Sequence, residues 1–299
     1  MRAILLLPLF LPGLAFGDFQ ADFKKVHESD DHAAMVKLLA GAEKTEQENP
    51  DYYALASNYW WQFASEINIS TKPADKGEPS IRELDGDKEV GSISTNGDVD
   101  PSLRKKALSL TAEGFRRFPQ RLDIGFGLAQ VQFKTGDAKA SVATLRQILK
   151  ISSAPDAKLK WTANADLPEP AATFVPVSIQ GYTAPLFRQE TPEADTLCKE
   201  LLDATIAAFP NHPYAYNMLA ALADAKGDKD ESYRLLKVAA EKAPEDTLIL
   251  INLAEAHQAR GKKADAAAVY RKLIALKPDD ETEAAAKEAL DALENDKAE

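Results

Sequence analysis

The chain has 299 residues, of which 47 are acidic and 36 are basic, so its formal net charge is −11 at pH 7. An excess of negative charge repels the phosphates of nucleic acids and of anionic lipids, so we expect neither as a partner. The single cysteine, Cys198, cannot form an internal disulfide, and the chain is long enough to be stabilised by an apolar core instead.

The N-terminal segment has the layout of a secretory signal peptide. Arg2 precedes an apolar run from Ala3 to Phe16, which two prolines interrupt and small residues close. A membrane anchor is the alternative, but a spanning helix needs roughly 20 apolar residues. We therefore predict cleavage after Gly17, removal of residues 1–17 and no membrane insertion of the mature chain. The mature chain is expected in the periplasm of a Gram-negative bacterium or outside the cell.

Two helical regions are predicted next, and an insertion divides the second of them. Residues 18–48 are predicted to form N-terminal helices, and residues 49–151 contain several further helices. Within this second region the apolar spacing of a helix occurs in 49–65 and again in 101–118. The segment between them, 66–100, lacks that spacing and is predicted to be an insertion.

The insertion contains the stretch "SIRELDGDKEVGSIS", which reads as a β-hairpin around an Asp85-Gly86 turn. That turn would pair Leu84 with Asp87, Glu83 with Lys88, Arg82 with Glu89 and Ile81 with Val90, and Ile67–Ser70 could add a third strand. The two aspartates around Gly86 also suggest calcium, but the further ligands of a calcium loop are missing. We therefore interpret them as turn residues.

A second interruption, residues 152–190, is rich in proline. Its apolar part, Phe174–Phe187, is compatible with a poor helix, a short pair of strands or a packed loop, and the sequence leaves these alternatives open.

The C-terminal region contains a repeat of 34 residues. Each unit reads as two helices separated by a glycine and closed by a proline, because glycine adopts the left-handed conformation that ends a helix and proline cannot continue one. The equivalent pairs are Leu219 and Leu253, Gly227 and Gly261, and Pro244 and Pro278.

This pattern resembles the tetratricopeptide repeat. The last unit matches the family pattern at Leu253-Ala254, Ala266, Tyr270 and Pro278, and departs from it at Leu250 and His257. The resemblance implies an all-α solenoid of antiparallel helix pairs, here with the inserted β-hairpin and the proline-rich insertion. It assigns residues 191–280 to C-terminal repeats and 281–299 to a helix that caps the last apolar face. It also implies a non-enzymatic scaffold that binds a protein or peptide in a concave groove.

The first helices of such pairs line the groove, so the stripe beside each packing stripe is the candidate binding surface. Aromatic side chains on that stripe could anchor a peptide. The alternative for Trp60 and Trp61 is that they pack beneath the adjacent insertion. The candidate residues are Tyr53, Ser57, Trp60, Trp61, Phe126, Gln130, Phe133, Tyr214 and Asn217.

No motif for catalysis, a cofactor or a metal is recognised in the sequence. The four histidines do not form a metal-ligand pattern, and we interpret them as surface or turn residues. Cys198 lies on an apolar helical stripe and is predicted to be a buried thiol. The alternative function is an enzyme or a carbohydrate-binding module with its site in the two insertions, where Trp161 could stack on a sugar. Oligomeric state and partner identity stay open.

Overall fold

The structure, a computed structural model, describes residues 18–64, 68–70, 80–85, 88–94 and 100–295. The predicted signal peptide, residues 1–17, lies outside the described residues. The described helices are α1 Asp18–Glu28, α2 His32–Thr45, α3 Pro50–Phe63, α4 Pro101–Arg117, α5 Leu122–Lys134, α6 Ala138–Ser152, α7 Ala171–Phe187, α8 Pro192–Ala208, α9 Pro213–Ala225, α10 Lys229–Lys242, α11 Thr247–Ala259, α12 Lys263–Ala275 and α13 Asp280–Asn295.

Between α3 and α4 the backbone contains three short strands, β1 Asn68–Ser70, β2 Ser80–Asp85 and β3 Lys88–Ser94. They pair antiparallel in the order β1-β3-β2. The predicted register is wrong: Asp85 pairs with Lys88, and the register shifts by a further residue between Glu83 and Leu84. Glycine is favoured at either central position of a two-residue hairpin turn. The sequence around Gly86 therefore fits two placements of the turn that differ by one residue, and it does not distinguish between them.

The chain divides into two compact units. Unit 1 comprises Met1–Lys134 together with Lys158–Asp166, and unit 2 comprises Thr135–Ala157 together with Leu167–Glu299. Within each unit, helices that follow one another closely in sequence pack side by side, as α4 and α5 do in unit 1 and α9 and α10 do in unit 2. A short connection between two packed helices makes them antiparallel, so the repeating element is a helical hairpin.

Acidic side chains mark the beginnings of these helices, and glycines follow the ends of several of them. The carboxylates of Asp31, Asp137, Asp228 and Asp246 each accept a hydrogen bond from the backbone N–H three residues later, which satisfies a donor that the first turn leaves free. Part of the acidic excess of the chain therefore serves to start helices. At the opposite ends, the turns after α5, α9 and α11 contain glycines with φ between 70° and 86°, as the 34-residue pattern predicts for Gly227 and Gly261.

Phe174–Phe187, for which the sequence allowed three interpretations, lies within α7, Ala171–Phe187, in unit 2. Pro176 and Pro185 lie inside this helix and each removes a backbone donor. The helix persists because one face is buried: Val175, Ile179 and Leu186 are each at most 1 % exposed. Packing of that apolar face outweighs the poor helix propensity of proline.

The last three helices share one apolar cluster. Tyr270 and Leu273 of α12 are buried together with Leu250 of α11 and with Ala286 and Leu293 of α13. The final helix, α13, thus covers the apolar side of α12, as a terminal helix of a repeat array must do.

Two glycines at the interfaces of unit 1 generate a stability prediction. A Cβ at Gly114 would lie 2.6 Å from Cβ of Tyr53, whereas a Cβ at Gly127 would find its nearest neighbour, Thr111, at 3.8 Å. We expect Gly114→Ala to lower the free energy of unfolding by about 1–3 kcal/mol through overpacking.

Gly127→Ala is the matched control and should leave that energy unchanged or raise it by about 0.5–1 kcal/mol, because alanine is the better helix former. The measurement is urea unfolding followed by tryptophan fluorescence. All three tryptophans lie in unit 1, so the signal reports on that unit. Equal effects of the two substitutions would contradict the close approach of α3 to α4.

Candidate functional site

A buried ionic cluster lies where α3 and α5 begin. The guanidinium of Arg121, just before α5, donates to both carboxylate oxygens of Asp123 at 2.9 and 2.8 Å. It also donates through Nη2 to Oδ1 of Asp51, in the first turn of α3, at 2.7 Å. None of the three residues is more than 4 % exposed. Arg121 therefore connects the N-terminal ends of two helices through Asp51, a residue 70 positions earlier in the sequence.

The segment Lys158–Asp166 belongs to the same arrangement in unit 1. The Lys160 N–H donates to the carbonyl of Gln120, and the Lys160 carbonyl accepts from the N–H of Leu122. Asn164 Oδ1 lies 3.5 Å from Nη1 of Arg121. Ala163 and Asn164 have φ values of 56° and 57°, which non-glycine residues adopt at a cost. These contacts hold the segment against the start of α5.

The charge state of the cluster follows from two opposing effects. Burial lowers the pKa of Arg121, but the hydrogen bonds and charges of Asp123 and Asp51 outweigh burial, so the pKa is raised overall. Arg121 is therefore cationic at every pH at which the protein is folded. Oδ2 of Asp51 is buried and has no hydrogen-bond partner in the described part of the chain. The cluster thus tolerates one unsatisfied acceptor and depends on Arg121 for compensation.

Three of the predicted groove residues on α3 are buried inside unit 1. Tyr53, Ser57 and Trp60 are each at most 5 % exposed. The Tyr53 hydroxyl donates to the carbonyl of Gln47 at 3.2 Å, and its ring lies 5.9 Å from that of Phe118. These side chains are not accessible to a partner, because neighbouring helices cover two adjacent stripes of α3 rather than one.

The other predicted residues divide between the units. Phe126 is 8 % exposed and lies 6.4 Å, centroid to centroid, from Trp161. Trp161, the potential sugar-stacking residue, therefore packs within unit 1. Trp61, Gln130 and Phe133 are half-buried and retain some exposed surface. For these three residues, a role in binding a partner on unit 1 stays a prediction.

In unit 2 a hydrogen bond connects α9 and α11, the first helices of two successive helix pairs. Nδ2 of Asn252 on α11 donates to Oδ1 of Asn217 on α9 at 2.9 Å. Tyr214, half-buried, precedes Asn217 by three residues on α9. Leu248, four residues before Asn252, is 57 % exposed and so extends the same side of α11 as an apolar surface. Leu248 was not among the predicted residues, although its position one turn before Asn252 could have indicated it.

Two titratable residues of unit 2 are enclosed by packing. Cys198 is fully buried, as predicted, and burial raises its pKa to about 11, so the thiol is protonated and unreactive at neutral pH. His257 is not the surface histidine that we predicted, because it is 8 % exposed between α10 and α12. Burial lowers the pKa of His257, and the negative charge of Asp265 partly opposes that effect. The hydroxyl oxygen of Tyr233 lies 3.4 Å from Nδ1 of His257.

The described residues contain no group of three or more His, Cys, Asp or Glu side chains placed to hold a metal ion. Among the same residues, no helix combines the length and the apolar character needed to cross a bilayer.

A comparison with protein-family models connects this geometry to a known family. The tetratricopeptide repeat model matches residues 248–272, which cover nearly all of α11 and most of α12. This segment is therefore similar to a tetratricopeptide repeat. The residues that carried the resemblance lie where the repeat packs, since Ala254 and Ala266 are fully buried and Tyr270 is 5 % exposed. No curated protein sequence matches the chain.

Solved tetratricopeptide repeat structures are similar over longer stretches but at low scores. A thermophilic repeat protein from Thermus thermophilus is 18 % identical, with 63 % of this chain and 91 % of that chain covered and a TM-score of 0.38. YrrB, described as having an unusual peptide-binding site, is 14 % identical over 62 % of this chain and 84 % of its own, also at 0.38. A repeat protein from Parabacteroides merdae is 14 % identical over 92 % of this chain and 89 % of its own, at 0.36.

The ionic cluster predicts a large effect of removing its only cation. Arg121→Met leaves Asp51 and Asp123 buried without a counter-charge, so we expect the free energy of unfolding of unit 1 to fall by about 3–5 kcal/mol. Tryptophan fluorescence during urea unfolding measures it.

Arg146→Met is the control, because Arg146 pairs with Glu200 at 3.4 Å on the exposed surface of unit 2. Such a pair contributes at most about 1 kcal/mol, and its loss should leave the tryptophan transition in place. The account of the cluster would be wrong if Arg121→Met cost no more than this control.

Proposed function

We propose that the chain is an exported, non-enzymatic scaffold that binds a segment of another protein. The observation that carries the proposal is the match of residues 248–272 to the tetratricopeptide repeat model, set within a run of helical hairpins. Each hairpin in such a run covers its neighbour, and the side of the first helices is left available for binding.

On unit 2 we place the contact on α9 and α11. Leu248 supplies exposed apolar surface, and Asn252 supplies an amide beside it, which buried Asn217, 5 % exposed, holds by accepting from its Nδ2. Asn252 is half-buried, so its amide borders solvent as well as Asn217. Such a surface suits an extended or helical peptide. Apolar side chains of the peptide can cover Leu248, and polar groups of the peptide can form hydrogen bonds with the Asn252 amide.

Export is the second part of the proposal. Its support is the order of features at the N-terminus: one positive charge, a short apolar run and small residues before Gly17. The mature chain would then begin at Asp18.

A photo-crosslinking amino acid at position 248 tests the binding surface. With the full chain expressed in its host, we expect a discrete adduct from position 248 and none from position 241, an exposed site on the second helix α10. The adduct should come from the extracytoplasmic fraction, and N-terminal sequencing should read from Asp18.

Adducts of equal yield from both positions, or from neither, would contradict the binding surface. A chain recovered in the cytoplasm with Met1 intact would contradict export while leaving the scaffold function standing.

A further inference from the structure

The beginning of α4 carries an unusual concentration of positive charge for this chain. Arg104, Lys105 and Lys106 are consecutive, in a protein whose net charge is −11. Lys105 and Lys106 are exposed and Arg104 is half-buried. At the other end of the same helix, Arg116 and Arg117 are both paired with Glu113. The three cations at the beginning form no such ion pair within the part of the chain that the structure describes.

Two tryptophans of α3 hold two of these cations in place. Nζ of Lys106 lies 4.0 Å from the ring centroid of Trp60, and the guanidinium carbon of Arg104 lies 5.0 Å from that of Trp61. The electron-rich face of an indole attracts a cation without neutralising it. Both side chains are therefore positioned while their full charge remains available.

The guanidinium of Arg104 also has unmet hydrogen-bonding capacity. Its Nε is buried and lacks an acceptor among the described residues. A carboxylate is the group that best satisfies a guanidinium, since its two oxygens match the fork of N–H donors. The position of the three cations in the first two turns of α4 adds the positive potential of a helix N-terminus, although Asp100 caps that end by accepting from Ser102 and Leu103.

An apolar ring completes the surface. Phe63, at the end of α3, is 39 % exposed and stacks on His32 with 3.6 Å between ring centroids. Cations, indoles and an exposed phenyl ring at adjoining ends of α3 and α4 suit a ligand with carboxylates and apolar groups. A nucleic acid suits it less, because three cations can pair with only a few phosphates, and the negative field of the rest of the chain repels a long polyanion more strongly than a short segment with a few carboxylates.

We propose that Arg104, Lys105, Lys106, Trp61 and Phe63 form a docking surface for an acidic peptide segment of a partner protein. This inference rests on the proposed scaffold function and assigns the chemistry of one of its partners.

The test measures binding of a fluorescein-labelled peptide rich in Asp and Glu with interspersed Leu, by fluorescence anisotropy with the full mature chain. A peptide with Asn and Gln in place of the acids is the ligand control. The variant R104Q/K105Q/K106Q should weaken binding of the acidic peptide by about tenfold or more, as expected for loss of charge-assisted hydrogen bonds. The variant K134Q/K139Q/K150Q removes the same charge from exposed lysines elsewhere and should change binding less than about twofold.

Lys105→Glu is a second variant that leaves both tryptophan contacts intact, and it should weaken binding with an unchanged circular dichroism spectrum. The proposal is overturned if the acidic peptide does not bind, if both triple variants weaken binding equally, or if a single-stranded oligonucleotide binds more tightly than the peptide. An adduct from position 248 without binding of the acidic peptide would overturn this inference alone. Failure of both would overturn the scaffold function as well.

Discussion

The arrangement of unit 1 depends on the charge of Arg121. Its guanidinium bonds to two carboxylates that lie in the first turns of α3 and α5, where the positive ends of the helices also favour negative charge. Burying three charges is costly, and the cost is recovered only if the geometry of all three holds together. Because Asn164 approaches the same guanidinium, the segment Lys158–Asp166 is fixed by the same constraint, and with it the position of Trp161 against Phe126.

The parts of the fold that were predictable are those in which one residue type has one physical role. Gly227 and Gly261 have positive φ as predicted, because a helix that ends in the left-handed conformation favours glycine. The helix α7 was not predictable, because its prolines argue against a helix and only tertiary burial of Val175 and Ile179 overrides them. The ionic cluster could not be predicted from the sequence either, since no local pattern relates Asp51 to Arg121.

Part of the predicted binding surface is buried for a geometric reason. A helical stripe such as Tyr52 and Ala56 identifies one packed face, but it does not reveal how many neighbours the helix has. In unit 1, α3 contacts α1, α2, α4 and α5, so the adjoining stripe with Tyr53 and Trp60 is buried too. The surfaces that we propose for partners are the basic first turns of α4 in unit 1 and the exposed Leu248 of α11 in unit 2.

Hydrogen exchange of the backbone measures the central constraint most directly. In Arg121→Met the amides at the beginnings of α3 and α5 and in residues 158–166 should exchange faster than in the unaltered protein. Local opening of the unaltered protein must break the ionic cluster, whereas the variant has no ion pairs there to break. The amides of α9 to α12 in unit 2 should keep their rates. Unchanged exchange at the beginnings of α3 and α5, or an equal acceleration throughout the chain, would contradict the role assigned to Arg121.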